Sequence, residues 1–304
     1  MKIVGVSMTF NDGYKLKEWR QHYEIYKDQL DCFVIVDNGS DREYQEALKE
    51  TFPEAVLIFR ESNGGCTAAY NDGIKYALMN TDADAIAIIG NDIKLTNNCL
   101  PRMYEYLMDD RSLGIVSSAV LYIDSNIIDN YGHSVKGMNV TCCDQGVDIN
   151  NITCKSKYTD LLTGGFTMAK RQFYDMAGLQ DEGLFMYCDE LDTMFKARKY
   201  GFKLGVIADE YAWHWHINPP QKSRRSSASR YLISRNRVYI ARKYMGFGAT
   251  LYQTIRGLII IPAGFLIHFI KGKQRFYLSD AKYSMGGVIH GLRGKMYTNQ
   301  YTVF

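Results

Sequence analysis

MKIVGVSMTFNDGYKLKEWRQHYEIYKDQLDCFVIVDNGS, residues 1–40, holds one complete strand–helix–strand unit. Ile3–Met8 is a short apolar run and reads as a buried strand. Leu16, Trp19, Tyr23, Tyr26 and Leu30 recur at alternating spacings of three and four, which gathers them on one helical face. Cys32–Val36 is a second apolar run, closed by the turn cluster Asp37-Asn38-Gly39-Ser40. Working outward, the pattern repeats. Ala55–Phe59 is a strand, Cys66–Leu78 a helix and Ala85–Ile89 a strand. Leu100, Met103 and Leu107 mark a helix, and Gly114–Val120 a further strand. Strands alternating with helices predict an α/β fold with a mostly parallel central sheet covered by helices on both faces. Ligands of such sheets sit at the carboxyl ends of the strands.

The rhythm weakens after residue 120. Residues 121–160 are polar and turn-rich, and are expected to form hairpins or a loop over the site. Arg171–Ala177 and Asp189–Tyr200 read as helices, and Lys203–Ala208 as a strand. Pro219-Pro220 breaks the chain. The expected organisation is one domain over 1–220, in halves at about 1–120 and 121–220. A C-terminal helical, basic and amphipathic extension follows at 221–304. The net charge of +3 gives no whole-molecule case for nucleic-acid binding, although Lys222 to Lys243 holds eight Lys or Arg and no acid. Seven cysteines without metal-like spacing, and an amino terminus too short and polar for an export signal, lead to an expectation of reduced thiols in the cytoplasm.

Four polar features fall at strand ends: Thr9-Phe10-Asn11, Asp37-Asn38-Gly39-Ser40, Asn63-Gly64-Gly65 before a helix carrying Asn71, and Gly90-Asn91-Asp92. Each alone is an ordinary turn. Together they gather a carboxylate, amides and a glycine-opened helix start, which suits a base, a ribose and a diphosphate. Asp92 is the candidate ligand of a hard divalent cation, Mg²⁺ or Mn²⁺, which prefers oxygen donors. Further on, Gly183-Leu184-Phe185-Met186-Tyr187-Cys188 leads into Asp189-Glu190-Leu191-Asp192. The carboxylates either cap a helix or include one that the apolar approach desolvates into a base. Phe185 and Tyr187 are candidates to flank a sugar ring. In Trp213-His214-Trp215-His216 the two histidines alternate with the tryptophans, and either is a candidate metal ligand.

The order of these motifs over residues 1–245 resembles the family-2 inverting glycosyltransferases of GT-A fold, especially bacterial rhamnosyl- and galactofuranosyl-transferase-like members. The resemblance also takes in Gly164-Gly165-Phe166, Arg198 and Arg235-Asn236-Arg237. It implies transfer of a sugar from a UDP- or dTDP-sugar to a glycan or lipid-linked acceptor in surface polysaccharide biosynthesis. Thr9, Asn11, Asp37, Asn63, Gly65, Asn71, Asn91, Gly165 and Arg235 would bind the nucleotide sugar. Asp92 and His214 would hold the metal, and Glu190 or Asp189 would be the base. Two departures stand out: Gly90 where the family usually has an acidic or amide residue, and Asp-Glu where it usually reads Glu-Asp.

The competing readings are a catalytically silent carbohydrate-binding relative and a nucleotidyltransferase. The second needs a glycine-rich loop with Arg and Lys after the first strand, which Thr9-Phe10-Asn11-Asp12-Gly13 lacks. A dehydrogenase fingerprint is absent there too. Leu258–Ile270 is apolar for 13 residues, short of the ~20 that span a bilayer. Arg256 stands before it, and Lys271, Lys273 and Arg275 follow. The segment is either a buried helix or an interfacial one, and the expectation is a peripheral enzyme at the inner face of the cell membrane.

Overall fold

The computed structural model describes residues 1–215, 227–270 and 278–296. It divides into two compact units, Met1–Gln180 with Thr193–Gln221, and Asp181–Asp192 with Lys222–Phe304.

The first unit opens with β1 (Ile3–Thr9), α1 (Leu16–Tyr26), β2 (Cys32–Asp37), α2 (Arg42–Thr51), β3 (Val56–Phe59), α3 (Gly65–Asn80) and β4 (Ala85–Ile89). Next come β5 (Ile93–Leu95), α4 (Cys99–Asp109), β6 (Leu113–Tyr122) and β7 (Ile128–Asn130). A small hairpin follows, β8 (His133–Lys136) with β9 (Asn139–Cys142), and then β10 (Ser156–Thr159), β11 (Phe166–Lys170) and α5 (Arg171–Ala177). After α6 (Asp189–Lys199) the unit closes with β12 (Lys203–His214).

Strand order in the main sheet is β10-β12-β6-β11-β4-β1-β2-β3. β1 to β4 are mutually parallel, and β6 and β12 run the same way. β11 inserts antiparallel between β4 and β6, and β10 runs antiparallel to β12. Every residue of β4 and β6 is buried, as expected of strands covered on both faces. On one face Trp19, Tyr23 and Tyr26 of α1 meet Phe33 and Phe52, with Trp19 to Phe52 ring centroids 4.5 Å apart. Burying each such ring contributes roughly 1.5–3 kcal/mol. On the other face α3 approaches so closely that a Cβ at Gly73 would lie 2.3 Å from Val6.

Three elements differ from the expectation. α2 carries only two buried side chains, Tyr44 and Leu48, so its apolar face is too sparse to show a period. Asp41 starts it by accepting from the Tyr44 N–H at 2.9 Å. β11 is a short strand whose reversed direction no local pattern encodes. β12 extends six residues beyond Ala208, to His214, because its end pairs with both β6 and β5.

The second unit contains α7 (Ser227–Tyr244), α8 (Gly246–Ile255), α9 (Ile261–Ile270) and α10 (Leu278–Arg293), with a π-helical turn at Arg256–Ile260. That turn precedes Pro262, which removes one intrahelical hydrogen bond. The unit includes Asp181–Asp192, so the expected boundary at 220/221 is not the whole division: this stretch belongs with the C-terminal helices. The reason is polar. Asp181 and Asp192 both accept from Lys243 Nζ, at 2.6 and 2.8 Å, and α7 holds the carbonyls between them.

Candidate active site

Parallel register aligns the strand ends of the first unit. Thr9 lies opposite Asp37, and Val6 opposite Ile88, so the residues following β1, β2 and β4 share one sheet edge. Beyond β4, β5 runs antiparallel to the end of β12 and pairs Ile93 with His214. The Trp215 N–H donates to the Asp92 carbonyl at 2.8 Å. This pairing brings His214 Nε2 to 3.6 Å from Asp92 Oδ2, with both side chains partly exposed.

Lys15 reaches the same carboxylate. Its Nζ is 3.1 Å from Asp92 Oδ2 and 3.2 Å from Asn91 Oδ1. Asn91 Nδ2 donates to Asp12 Oδ2 at 2.8 Å. Burial opposes the ionised Asp92, but His214 and Lys15 outweigh it and hold the carboxyl below its usual range. Gly90 is closely packed. A Cβ there would sit 3.0 Å from Asp92 Oδ1 and 3.2 Å from the Gly165 carbonyl, which itself accepts from the Gly90 N–H at 2.8 Å.

The donor set fits one kind of metal site. Asp92 supplies a carboxylate and His214 an imidazole, and among the described residues no group of three or more His, Cys, Asp or Glu side chains is placed to hold an ion. Two such donors would leave the remaining positions of a divalent ion to diphosphate oxygens and water. His216 lies outside the described residues.

The turn after β2 is built around Asp37. Its Oδ2 accepts from the Ser40 N–H at 3.1 Å and from Gln45 Nε2 at 2.9 Å. Its Oδ1 is buried with no partner among the described residues, an acceptor left for an incoming donor. Gly39 has φ of +84° and faces the Ser62–Asn63 backbone, which a Cβ would strike at 2.6 Å. Asn38 bridges the loops, donating to Asn63 Oδ1 at 3.0 Å and accepting from the Gly64 N–H at 3.1 Å. Asn63 in turn accepts from the Gly65 N–H at 2.9 Å. Asn11 joins from β1, where its N–H donates to Ser40 Oγ at 2.8 Å.

In the second unit, Asp189, Glu190 and Asp192 open α6. Burial, and then the neighbouring Glu190 charge, push the Asp189 carboxyl well above its usual range. Asp192 has a structural partner set, accepting from Lys243 Nζ at 2.8 Å and Tyr244 OH at 2.7 Å. The loop before α6 is strained: Phe185, Tyr187 and Cys188 have φ of 65°, 68° and 63°. Asn236 Nδ2 lies within 3.0 Å of the Leu184, Met186 and Tyr187 carbonyls. Arg235 donates to the Gly183 and Leu184 carbonyls at 3.0 and 2.8 Å. Strain of this sort persists only where surrounding bonds over-determine it, and here α7 provides them.

Three expected donor-binding residues are committed elsewhere. Thr9 is fully buried and its hydroxyl pairs with the Tyr44 phenol. Asn71 is buried and exchanges two 3.0 Å hydrogen bonds with the Gln180 backbone. Arg235 is 1% exposed, with its guanidinium on backbone carbonyls, including that of Met296, and on Asn236. Each is buried and hydrogen-bonded within the protein, to a side chain for Thr9, to backbone for Asn71 and to both for Arg235. Lys15 went unpredicted, and Asp12 and Asn236 stood only within longer motifs, with no role of their own. For Lys15 the one sequence signal is a cation six residues past a strand end that already holds Asn11 and Asp12.

Residues 20–168 match the family model described as glycosyl transferase family 2. The low-salt glycan biosynthesis hexosyltransferase of Haloferax volcanii is 21% identical over 86% of this chain and 83% of its own. The dTDP-rhamnosyl transferase RfbF of Shigella flexneri is 22% identical over 68% of this chain and 67% of its own. Residues 20–168 thus carry a glycosyltransferase family 2 domain. Among solved structures, the mannosyltransferase PcManGT of Pyrobaculum calidifontis with GDP-Man and Mn²⁺ superposes with a TM-score of 0.55, at 14% identity, covering 97% of this chain and 88% of that one. GalNAc-T7 with UDP, GalNAc and Mn²⁺ gives 0.63 at 15% identity, covering 80% of this chain and 48% of that one. The fold is the GT-A fold that these glycosyltransferase structures share.

Proposed function

We propose that the enzyme transfers a sugar, with inversion, from a UDP- or dTDP-sugar to a hydroxyl of a glycan or lipid-linked acceptor. The observation that carries this is the Asp92–His214 pair at 3.6 Å, set at the sheet edge that also presents the orphan Asp37 Oδ1. In this reading Asp37, Asn11, Asn63 and Gly65 shape the nucleoside pocket. Asn91 and Gly165 line the approach to the diphosphate. A divalent ion on Asp92 and His214 would neutralise charge on the departing nucleoside diphosphate. The Asp189–Glu190 pair takes the proton of the acceptor hydroxyl as it attacks the anomeric carbon in line with the leaving group. A proton affinity raised by burial, as at Asp189, is what a base needs near neutral pH; position in the family pattern favours Glu190. The domain reading is a catalytic domain over 1–220, with a nucleotide-binding half at about 1–120 and an acceptor half at about 121–220, and a C-terminal extension over 221–304. The test is release of nucleoside diphosphate from a panel of sugar nucleotides. No release from any of them would leave the silent carbohydrate-binding alternative.

The same enzyme is proposed to work at the cytoplasmic face of the cell membrane. Among the described residues no helix is long and apolar enough to cross a bilayer. Phe247, Leu251, Ile255 and Ile259 recur four apart and are 82, 46, 41 and 61% exposed, continued by Leu266, Ile267 and Ile270. An exposed apolar stripe of this length on a helical run suits insertion between lipid head groups. The basic residues at 271, 273 and 275, and those at 222–226, lie outside the described residues.

A further inference from the structure

We infer that Lys15 is a resident cation of the diphosphate site, occupying on Asp92 the place a divalent ion would use and carrying part of the charge of the departing diphosphate. The inference rests on the glycosyltransferase reading and on Asp92 as metal ligand. Its support is geometric. The Lys15 ammonium has three donors, and three side-chain oxygens surround it: Asp92 Oδ2 at 3.1 Å, Asn91 Oδ1 at 3.2 Å and Asp12 Oδ2 at 3.8 Å. Its side chain is only 12% exposed, so the head is seated in the site and not trailing in solvent. Asp92 Oδ2 is also the atom nearest His214. A metal bound there and the ammonium therefore contend for one oxygen. With a single protein carboxylate on the ion and a tethered cation beside it, the site has two means of balancing a diphosphate. When donor enters, the flexible lysine stem lets the ammonium move from carboxylate to phosphate oxygen without leaving the site.

The charge contest gives a readout that needs no turnover. Mn²⁺ is titrated into the full-length wild type, Lys15→Met and Lys15→Arg without donor, and free Mn²⁺ is followed by electron paramagnetic resonance. Removing a positive charge a few ångströms from the ion is expected to tighten Mn²⁺ binding about tenfold or more. Lys15→Arg, which keeps the charge, is expected to stay near wild type and so separates charge from packing. With donor present, wild type should keep a residual diphosphate release in excess chelator, on the order of 10²-fold below the metal-loaded rate, and Lys15→Met should lose it. Unchanged Mn²⁺ affinity in Lys15→Met, or a wild type without chelator-resistant release while metal-loaded release is intact, overturns the inference. If no sugar nucleotide is turned over at all, the glycosyltransferase reading fails instead, and the Mn²⁺ comparison still judges the place of Lys15.

Discussion

Replacing Asn236 by Ala tests whether α7 holds the loop that delivers the candidate base. The Asn236 amide has two N–H donors and three carbonyls within reach, at 2.7, 2.9 and 3.0 Å. Two such bonds contribute about 1–3 kcal/mol net, and carbonyls left buried and unpaired add about 1–3 kcal/mol to the cost of losing them. Against them stand Phe185, Tyr187 and Cys188 in the left-handed region, each storing roughly 1–3 kcal/mol. The strain therefore exceeds what Arg235 alone can oppose, and the loop is expected to relax. A destabilisation of roughly 2–4 kcal/mol should appear as a lower Tm. Amide hydrogen exchange should speed up across 185–192, where the Asp192 N–H bonds the Cys188 carbonyl at 3.2 Å. Loss of positioning of a reacting group costs about 10²-fold in rate. Nucleoside diphosphate release should fall by that order, with donor affinity near wild type, because the donor-side residues belong to the other unit. A folded Asn236→Ala protein with wild-type exchange at 185–192 and a rate within threefold of wild type would refute the reasoning.

Asp92→Ala should cost most of the activity while the protein stays folded, and excess chelator should depress the wild-type rate strongly; full turnover under chelation would count against a metal on Asp92. Glu190→Gln or Asp189→Asn should lower transfer about 10²–10⁴-fold with donor binding retained, and near-normal rates in both would place the base elsewhere. Asp189→Asn should also stabilise the fold in a pH-dependent way. A carboxyl whose pKa rises on folding binds its proton more tightly folded than unfolded, so its contribution is present at low pH and lost as pH rises from about 4 through the raised value. The Tm gain of Asp189→Asn is thus expected at neutral pH and should vanish below about pH 4; a gain independent of pH would contradict it. In flotation with anionic liposomes, the intact chain should float at low salt and a Leu251→Ser, Ile255→Ser, Ile259→Ser variant should not; equal flotation of the two would remove the stripe from the membrane reading.

Much of the architecture was legible in local pattern. Ile3–Met8, Cys32–Val36 and Ala85–Ile89 are continuous apolar runs because they are covered on both faces, and the 3–4 spacing of Trp19, Tyr23 and Tyr26 records the one face that α1 buries. The strand-end residues Asp37, Asn91 and Asp92 were legible for the same reason, since a parallel sheet collects them at one edge whatever its details. What each does there depended on partners remote in sequence. Lys15 meets Asp92 across 77 residues, and His214 reaches Asp92 only because β5 and β12 pair. Thr9, Asn71 and Arg235 carry the right chemistry for a ligand, yet their hydrogen bonds run to Tyr44, Gln180 and the Gly183–Leu184 carbonyls. Residue type and local spacing determine that a polar group lies near a strand end or on a helix. Which way it is satisfied is a tertiary matter, because a buried donor takes whichever acceptor the packing brings within 3 Å, and that acceptor belongs to another part of the chain.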